Sequence, residues 1–259
     1  MRITRYLPVA GGPAAYGLVE GAADELVVLP LAGLPYDGVR QVGGALTRAE
    51  VVLLAPVEPS KVLAFGRNYA EHAKELGNEV PETPVVFSKP STAVVGDGQE
   101  VAYPALTRNL HFEGELAIVI GRRCKDVPRD RVAGVVLGYT VGNDLTMRDL
   151  QRAEKQWTRA KGFDGSCPLG PWVETDVDPS ALSLRTTVNG ELRQDGTTAD
   201  MLLDVADCVA FVSQAMTLLP GDVVLTGTPA GVGPLTPGAS VEVAVEGIGV
   251  LRNPVVARS

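Results

Sequence analysis

Short runs of apolar residues, broken by polar or turn-forming ones, recur along most of this chain, and they read as strands. KVLAFG (61–66), PVVFSK (84–89), ELAIVIG (115–121), VAGVVLGYTVGND (132–144), LRTTVNG (184–190), DVVLTG (222–227) and ASVEVAVEGIGVLRN (239–253) are punctuated by Gly, Pro, Asn and Asp. Upstream, YGLVEG and ELVVLPLAGLPYDG add further strands, and the stretch Pro56 to Pro59 marks a boundary. It separates a small N-terminal β domain, 1–57, from the remainder, 58–259. Helical spacing appears in YAEHAKELG (69–77), stopped by Gly77, and in MRDLQRAEKQW (147–157) and TADMLLDVADCVAFVSQAMT (198–217). The last puts Met201, Leu202, Val205, Val209, Val212 and Met216 on an apolar stripe. Many short strands with few helices predict a β-rich mixed α+β fold rather than a doubly wound sheet. No internal repeat interrupts the pattern.

Composition narrows the partners. In 259 residues, 45% of them apolar, there is room for one large domain with a sizeable core, or for one domain with a small appendage. The net charge is −8 and no basic cluster is interleaved with aromatics, which argues against nucleic acid. No apolar run approaches the ~18 residues of a membrane span. MRITRYLPVAGGP lacks the apolar core of a secretory signal. Cys124, Cys167 and Cys208 form no paired pattern, which favours a reducing cytoplasm. With only His72 and His111, a His-rich zinc site is excluded, so a metal here would be held by oxygens, as Mg²⁺, Mn²⁺ or Ca²⁺ are.

The candidate chemistry begins in HFEGELAIVIG (111–121), where Glu113 and Glu115 precede a buried run. Residues two apart in a strand share a face, and two close carboxylates repel. They are tolerated if solvated at a strand end, if paired with cations such as the nearby Arg122 and Arg123, or if they share a divalent ion. Asp144 follows the apolar strand ending at Asn143; alone it reads most simply as an N-cap for MRDLQ, with Asp149 pairing Arg148 or Arg152. Together the three acids suit a hard cation with open positions. His72 and Glu75, three apart on a short helix, are either a solvated face or an imidazole oriented by a carboxylate. The flanking Asn68 and Gly77–Asn78 suit a mobile flap. Lys161 sits before a glycine in a loop. TGTPAGVG (226–233) is a Gly/Pro turn whose amides and Thr228 could bind a carboxylate, but it lacks the ending of a phosphate loop.

These pieces occur in one order: AFGRNYAEHAKELG, PVVFSKPSTAVVG, HFEGELAIVIG, GYTVGNDLTMRDLQ, KGFDGSCPLGPW and LLPGDVVLTGTPAGVG. In that order, over residues 61–235, the chain resembles the fumarylacetoacetate hydrolase family, in particular its shorter bacterial and mitochondrial-type members. The N-terminal stretch resembles the small extension of some members. The resemblance implies a rolled, mixed β-sheet core in a homodimer. It implies Mg²⁺ or Mn²⁺ on Glu113, Glu115 and Asp144, with His72, Glu75 and Lys161 as catalytic residues. Arg67, Arg148, Gln151 and Thr228 match substrate-binding positions, and Thr228 is implied to face a substrate carboxylate. The implied substrate is a small 2-oxo acid. The implied reaction is C–C cleavage of a 2,4-dioxo acid such as an acylpyruvate or fumarylpyruvate through a stabilised pyruvate enolate, with His72 and Glu75 activating water. Oxaloacetate decarboxylation and isomerisation–decarboxylation of hydroxyheptadienedioate-type acids of aromatic catabolism are the alternatives. A cation-binding scaffold is the non-enzymatic one.

Overall fold

The computed structural model describes residues 1–21, 25–77 and 79–258. Strands β1 (Arg2–Pro8), β2 (Ala15–Glu20), β3 (Val27–Pro30), β4 (Leu46–Thr47) and β5 (Val51–Leu54) come first. Next are β6 (Val62–Gly66), helix α1 (Ala70–Glu75), β7 (Val85–Lys89), β8 (Val94–Val95), β9 (Val101–Ala102), β10 (Leu110–Phe112), β11 (Gly114–Ile120), β12 (Val136–Asn143) and β13 (Thr146–Met147). The chain continues through α2 (Arg148–Ala153), α3 (Thr158–Lys161), β14 (Cys167–Glu174), β15 (Ser183–Val188), β16 (Glu191–Thr197) and α4 (Val205–Ala215). It closes with β17 (Val223–Leu225), β18 (Gly233–Pro234), β19 (Ser240–Val245) and β20 (Gly249–Val256).

The main sheet runs β4-β3-β2-β1-β14-β12-β11-β17-β6-β7, with β5 on β1 and β8 on β14. A second sheet, β16-β15-β19-β20-β9, and a small one, β13-β10-β18, complete a β-rich mixed fold. Its centre is β11, buried at every residue, as expected of an apolar run covered on both faces. Leu116, Ile118 and Ile120 pack with Val209 and Val212 of α4 and with Val243 and Val245 of the second sheet. Ala117 and Val119 face the opposite way, onto Val62, Ala64, Leu169 and Val223. The period of two in the sequence thus becomes two cores, one on each side of the main sheet. The expected boundary at 57/58 falls between β5 and β6; β1 nevertheless continues the main sheet, with Ile3 opposite Val173 of β14.

Three elements differ from the sequence-based expectation. The helix predicted over 147–157 is two short helices, because Glu154 turns extended (φ −105°, ψ 139°). That break lets Trp157 stack edge-on against Phe87, with ring centroids 5.4 Å apart. The helix predicted over 198–217 begins at Val205, where the Asp204 side chain accepts from the Asp207 N–H at 2.9 Å and caps it. Leu202 and Met216, expected in the core, are therefore exposed. Strand β14, with Pro168 and Pro171, begins inside KGFDGSCPLGPW, which had no strand signal, because prolines argue against a central strand. It is accommodated with a register shift against β12 between Tyr139 and Val141.

Candidate active site

Pairing places the site. Antiparallel β11 and β12 set Gly114 opposite Asn143, so the residue before one strand meets the residue after the other. The Asp144 N–H donates to the Glu113 carbonyl at 2.9 Å. Strand β17 is antiparallel to β11 and parallel to β6. The C-terminal ends of β6, β12 and β17 therefore converge with the N-terminal end of β11. Side chains at those ends turn into one cleft.

Glu113, Glu115 and Asp144 are all buried, and an oxygen from each lies within 4.8 Å of the others. The solvated reading of the two glutamates is thus excluded. Their cationic partners are not Arg122 and Arg123, which are exposed just past the other end of β11. Arg148 pairs with Glu113, and Lys161 reaches Glu113 at 2.5 Å and Asp144 at 2.6 Å. Lys89, which the sequence reading left without a role, closes β7 and contacts Asp144 at 2.5 Å. Burial opposes the charge on Glu113, but Arg148, Lys161 and His72 outweigh it and hold its carboxyl well below the usual range. Glu115 has no such partner: it accepts the Gly227 N–H at 2.7 Å. Burial first, then the neighbouring Asp144 and Glu113, push it far above the usual carboxylate range. Lys161 is also opposed by burial, yet Asp144 and Glu113 raise it, so it is a permanent ammonium.

This donor set fits a hard divalent cation. Every ligand atom is a carboxylate oxygen, and among the described residues no cation stands at contact distance from Glu115. Oxygens around an octahedral Mg²⁺, with bonds of ~2.1 Å, lie ~3–4 Å apart, and the three carboxylates, each with an oxygen within 4.8 Å of the others, need only a small adjustment to close on one ion.

Asp144 is not an N-cap: α2 begins at Arg148 after Met147, and Thr146–Met147 form β13. Nor does Asp149 pair with Arg148 or Arg152; it accepts from Thr107 Oγ1 at 2.5 Å and the Arg108 N–H at 3.0 Å. Beyond β6, Arg67 adopts φ 60°, a left-handed conformation costing a non-glycine residue ~1–2 kcal/mol. Asn68 secures the bend by donating to Leu203 O (2.9 Å) and Thr226 O (2.7 Å) while accepting from the Leu203 N–H (2.8 Å). Asn68, expected to flank a mobile flap, is thus a pinned residue; Asn78 lies outside the described residues. His72 is only 5% exposed, so its helix face is not a solvated one. Its Nδ1 is 3.2 Å from Glu75 Oε2, and its Nε2 is 3.9 Å from Glu113 Oε1. Glu75 also accepts the Gly231 N–H at 3.1 Å, which ties α1 to the TGTPAGVG loop. Burial lowers the imidazole below its ordinary value despite the pull of Glu113 and Glu75, so it is neutral at pH 7.

One cavity of about 250 Å³ is lined by every residue of the implied catalytic, substrate-binding and metal-holding sets except Glu75 and Asp144. Those two stand behind His72 and Lys161, one hydrogen bond away. Arg152 and Trp157 also line it, and neither carried a signal beyond helical spacing. Among the described residues, no carboxylate pairs with Arg67 or Arg152. His111 does not line the cavity.

The chain and its fold match known proteins. The profile described as fumarylacetoacetate (FAA) hydrolase C-terminal covers residues 61–256, and one described as Rv2993c-like, N-terminal covers residues 1–56. The chain belongs to the fumarylacetoacetate hydrolase family and is an enzyme of that family. Protein Rv2993c of Mycobacterium tuberculosis is 48% identical over 99% of this chain and 98% of its own length. Oxaloacetate tautomerase YcgM of Escherichia coli is 46% identical over 73% of this chain and 89% of its own. The crystal structure of a 2-hydroxyhepta-2,4-diene-1,7-dioate isomerase from Mycobacterium marinum matches with a TM-score of 0.93 at 46% identity, over 100% of this chain and 99% of that one. A fumarylpyruvate hydrolase from Pseudomonas aeruginosa, in complex with Mn²⁺ and pyruvate, matches with a TM-score of 0.74 at 38% identity, over 79% of this chain and 91% of that one. Among the described residues, no helix is long and apolar enough to cross a membrane.

Proposed function

We propose that this enzyme transfers a proton at the carbon beside the carbonyl of a small 2-oxo dicarboxylic acid, interconverting keto and enol forms, with Mg²⁺ or Mn²⁺ as cofactor. The observation that carries this reading is His72. A neutral imidazole, with Nδ1 on Glu75 and Nε2 turned toward Glu113, is a proton acceptor beside the carboxylate cluster. Glu113, Glu115 and Asp144 would hold the cation, which supplies a Lewis acid that acidifies the carbon next to the 2-oxo group.

The chain's own residues do the rest. His72 takes the proton from the carbon and, as the imidazolium that Glu75 orients and favours, gives it back to the oxygen of the enolate that results. The Lys161 ammonium offers positive charge where negative charge develops on the substrate oxygen. Arg67 and Arg152, with no carboxylate partner among the described residues, would receive a second carboxylate at the far end of the substrate. A cavity of about 250 Å³ suits a small acid, lying below the ~300–1,000 Å³ typical of sites for larger ligands. The tautomerase and isomerase names of similar proteins support the same reading.

A second reading is hydrolytic cleavage of a 2,4-dioxo acid such as an acylpyruvate or fumarylpyruvate. The complete His72–Glu75 pair favours it, since the same imidazole can deprotonate water. The test is a panel of oxaloacetate, acetylpyruvate and fumarylpyruvate with Mg²⁺. The loss of enol absorbance, the release of CO₂ and the release of the acyl acid are followed separately. Tautomerisation of oxaloacetate faster than any cleavage supports the first reading. Cleavage of fumarylpyruvate with no effect on the oxaloacetate enol replaces it with the second. Inactivity on all of them, with or without metal, removes both.

A further inference from the structure

Lys89 is the last residue of β7 and only 1% exposed. Phe87, two residues earlier on the same face of the strand, has the Lys161 ammonium over its ring, 5.0 Å from the centroid. This edge of the main sheet is thus turned toward the acid cluster. Lys89 Nζ lies 2.5 Å from Asp144 Oδ1, and Lys161 Nζ lies 2.6 Å from Asp144 Oδ2 and 2.5 Å from Glu113 Oε2. Arg148 takes Glu113 Oε1. Every oxygen of these two carboxylates therefore faces a buried cation. Even with Glu113, Glu115 and Asp144 all ionised, their three negative charges meet three positive ones, on Lys89, Arg148 and Lys161. Among the described residues the enclosed cluster has no surplus of negative charge. Glu75, Arg67 and Arg152, the other charged groups close by, are partly or fully exposed and count for less. A divalent cation added to this cluster leaves two positive charges uncompensated, and a dianion added without the cation leaves two negative ones. Either is costly where water is excluded. Added together, they cancel.

We infer that Lys89 is a positioning residue that acts through Asp144 to set this balance, so that the site takes up a divalent cation and a dianionic chelator as a coupled pair and favours a ligand head with two negative charges over one with a single charge. Lys89 does not line the cavity, so its effect is one of charge and not of contact with the ligand. The head of a 2-oxo acid carries one negative charge as the ketone and two as the enolate. The same balance therefore favours the enolate that proton transfer at the neighbouring carbon produces. This inference rests on the proposed function, since it needs the cation and a 2-oxo-acid-like ligand in this cavity.

Oxalate and oxamate have nearly the same size and both chelate, but oxalate carries two negative charges and oxamate one. Mn²⁺ binding to the full-length protein is measured by EPR, alone and with each ligand at saturation, after subtracting the Mn²⁺–ligand complexes that form without protein. Oxalate is expected to raise the Mn²⁺ affinity ~5–150-fold, the usual range of coupling between two sites, and oxamate to raise it less. Lys89→Met keeps the length of the side chain and removes its charge. It is expected to tighten Mn²⁺ in the absence of ligand and to weaken it in the presence of oxalate, opposite changes that loss of packing alone does not produce. If Lys89→Met does not fold, the two ligands on wild type still decide. Equal enhancement by oxalate and oxamate, or none by either, overturns the inference while leaving the proposed function standing. So does Lys89→Met weakening Mn²⁺ equally with and without oxalate. Failure of wild type to bind Mn²⁺ under any of these conditions removes the proposed function and this inference with it.

Discussion

Lys161 stands between Glu113 and Asp144, its Nζ 2.5 Å from one carboxylate and 2.6 Å from the other, and it is fully enclosed. It is thus a counter-ion of the acid cluster before it is anything else. Lys161→Met leaves two buried carboxylates short of a cation. Breaking a buried pair in this way costs ~3–5 kcal/mol. A divalent ion replaces part of the lost charge. Urea denaturation with and without Mn²⁺ is expected to show a large loss of stability in the variant, and a larger stabilising effect of Mn²⁺ on the variant than on wild type. Equal stabilisation of both would mean that the ion and the ammonium do not share the same carboxylates.

The three acids should act together on metal affinity. Glu113→Ala, Glu115→Ala and Asp144→Ala are each expected to weaken Mn²⁺ binding by more than the ~10–100-fold typical of losing an outer-shell partner. EDTA treatment is expected to abolish turnover and Mg²⁺ to restore it. Full activity after EDTA would remove the cation from the reading.

His72 should dominate turnover. His72→Ala is expected to lower kcat by ~10²–10⁴-fold, the usual contribution of a general base. Glu75→Gln keeps a hydrogen bond to Nδ1 but not the charge, and is expected to lose less. The comparison is made on oxaloacetate tautomerisation and, separately, on fumarylpyruvate cleavage. A His72→Ala enzyme with unchanged kcat on both would assign the proton to another group.

Arg152 and Arg67 should read the far end of the substrate. Arg152→Ala is expected to raise KM for a diacid ~10-fold or more, the loss of a charge-assisted hydrogen bond. KM for acetylpyruvate, which lacks the second carboxylate, is expected to change little. Equal effects on both substrates would place Arg152 elsewhere than at a distal carboxylate.

The glycine between the two glutamates should be a packing requirement. A Cβ at Gly114 would stand 2.3 Å from Thr186 Oγ1 and 2.9 Å from Val243 Cγ1. Gly114→Ala is expected to destabilise the fold by ~1–3 kcal/mol, the usual cost of overfilling a core. Among the described residues the buried Thr186 hydroxyl has no hydrogen-bond partner, so Thr186→Ala removes the nearest obstacle at little polar cost. Stability of the double variant is expected to exceed the sum of the single effects. Strict additivity would show that Thr186 is not the obstacle.

Much of this was determined by the sequence itself. Apolar runs with period two marked most strands around the site, because burial of alternate faces is a local rule that each strand must obey alone. The acids at the ends of two such runs, and a histidine three residues from a glutamate on one helix, were legible for the same reason. Tertiary structure alone decided which charges meet. Lys89, Arg148 and Lys161 lie farther in sequence from the two glutamates than Arg122 and Arg123 do, yet they are the cations enclosed with the acid cluster. Gln194 reaches Gly114 across 80 positions from another sheet, so no spacing could announce it. Strand β14 was hidden by its prolines, and the helices expected at 147–157 and 198–217 were shortened. Packing of Trp157 on Phe87 and capping by Asp204 outweighed the small per-residue preferences that a helical pattern expresses.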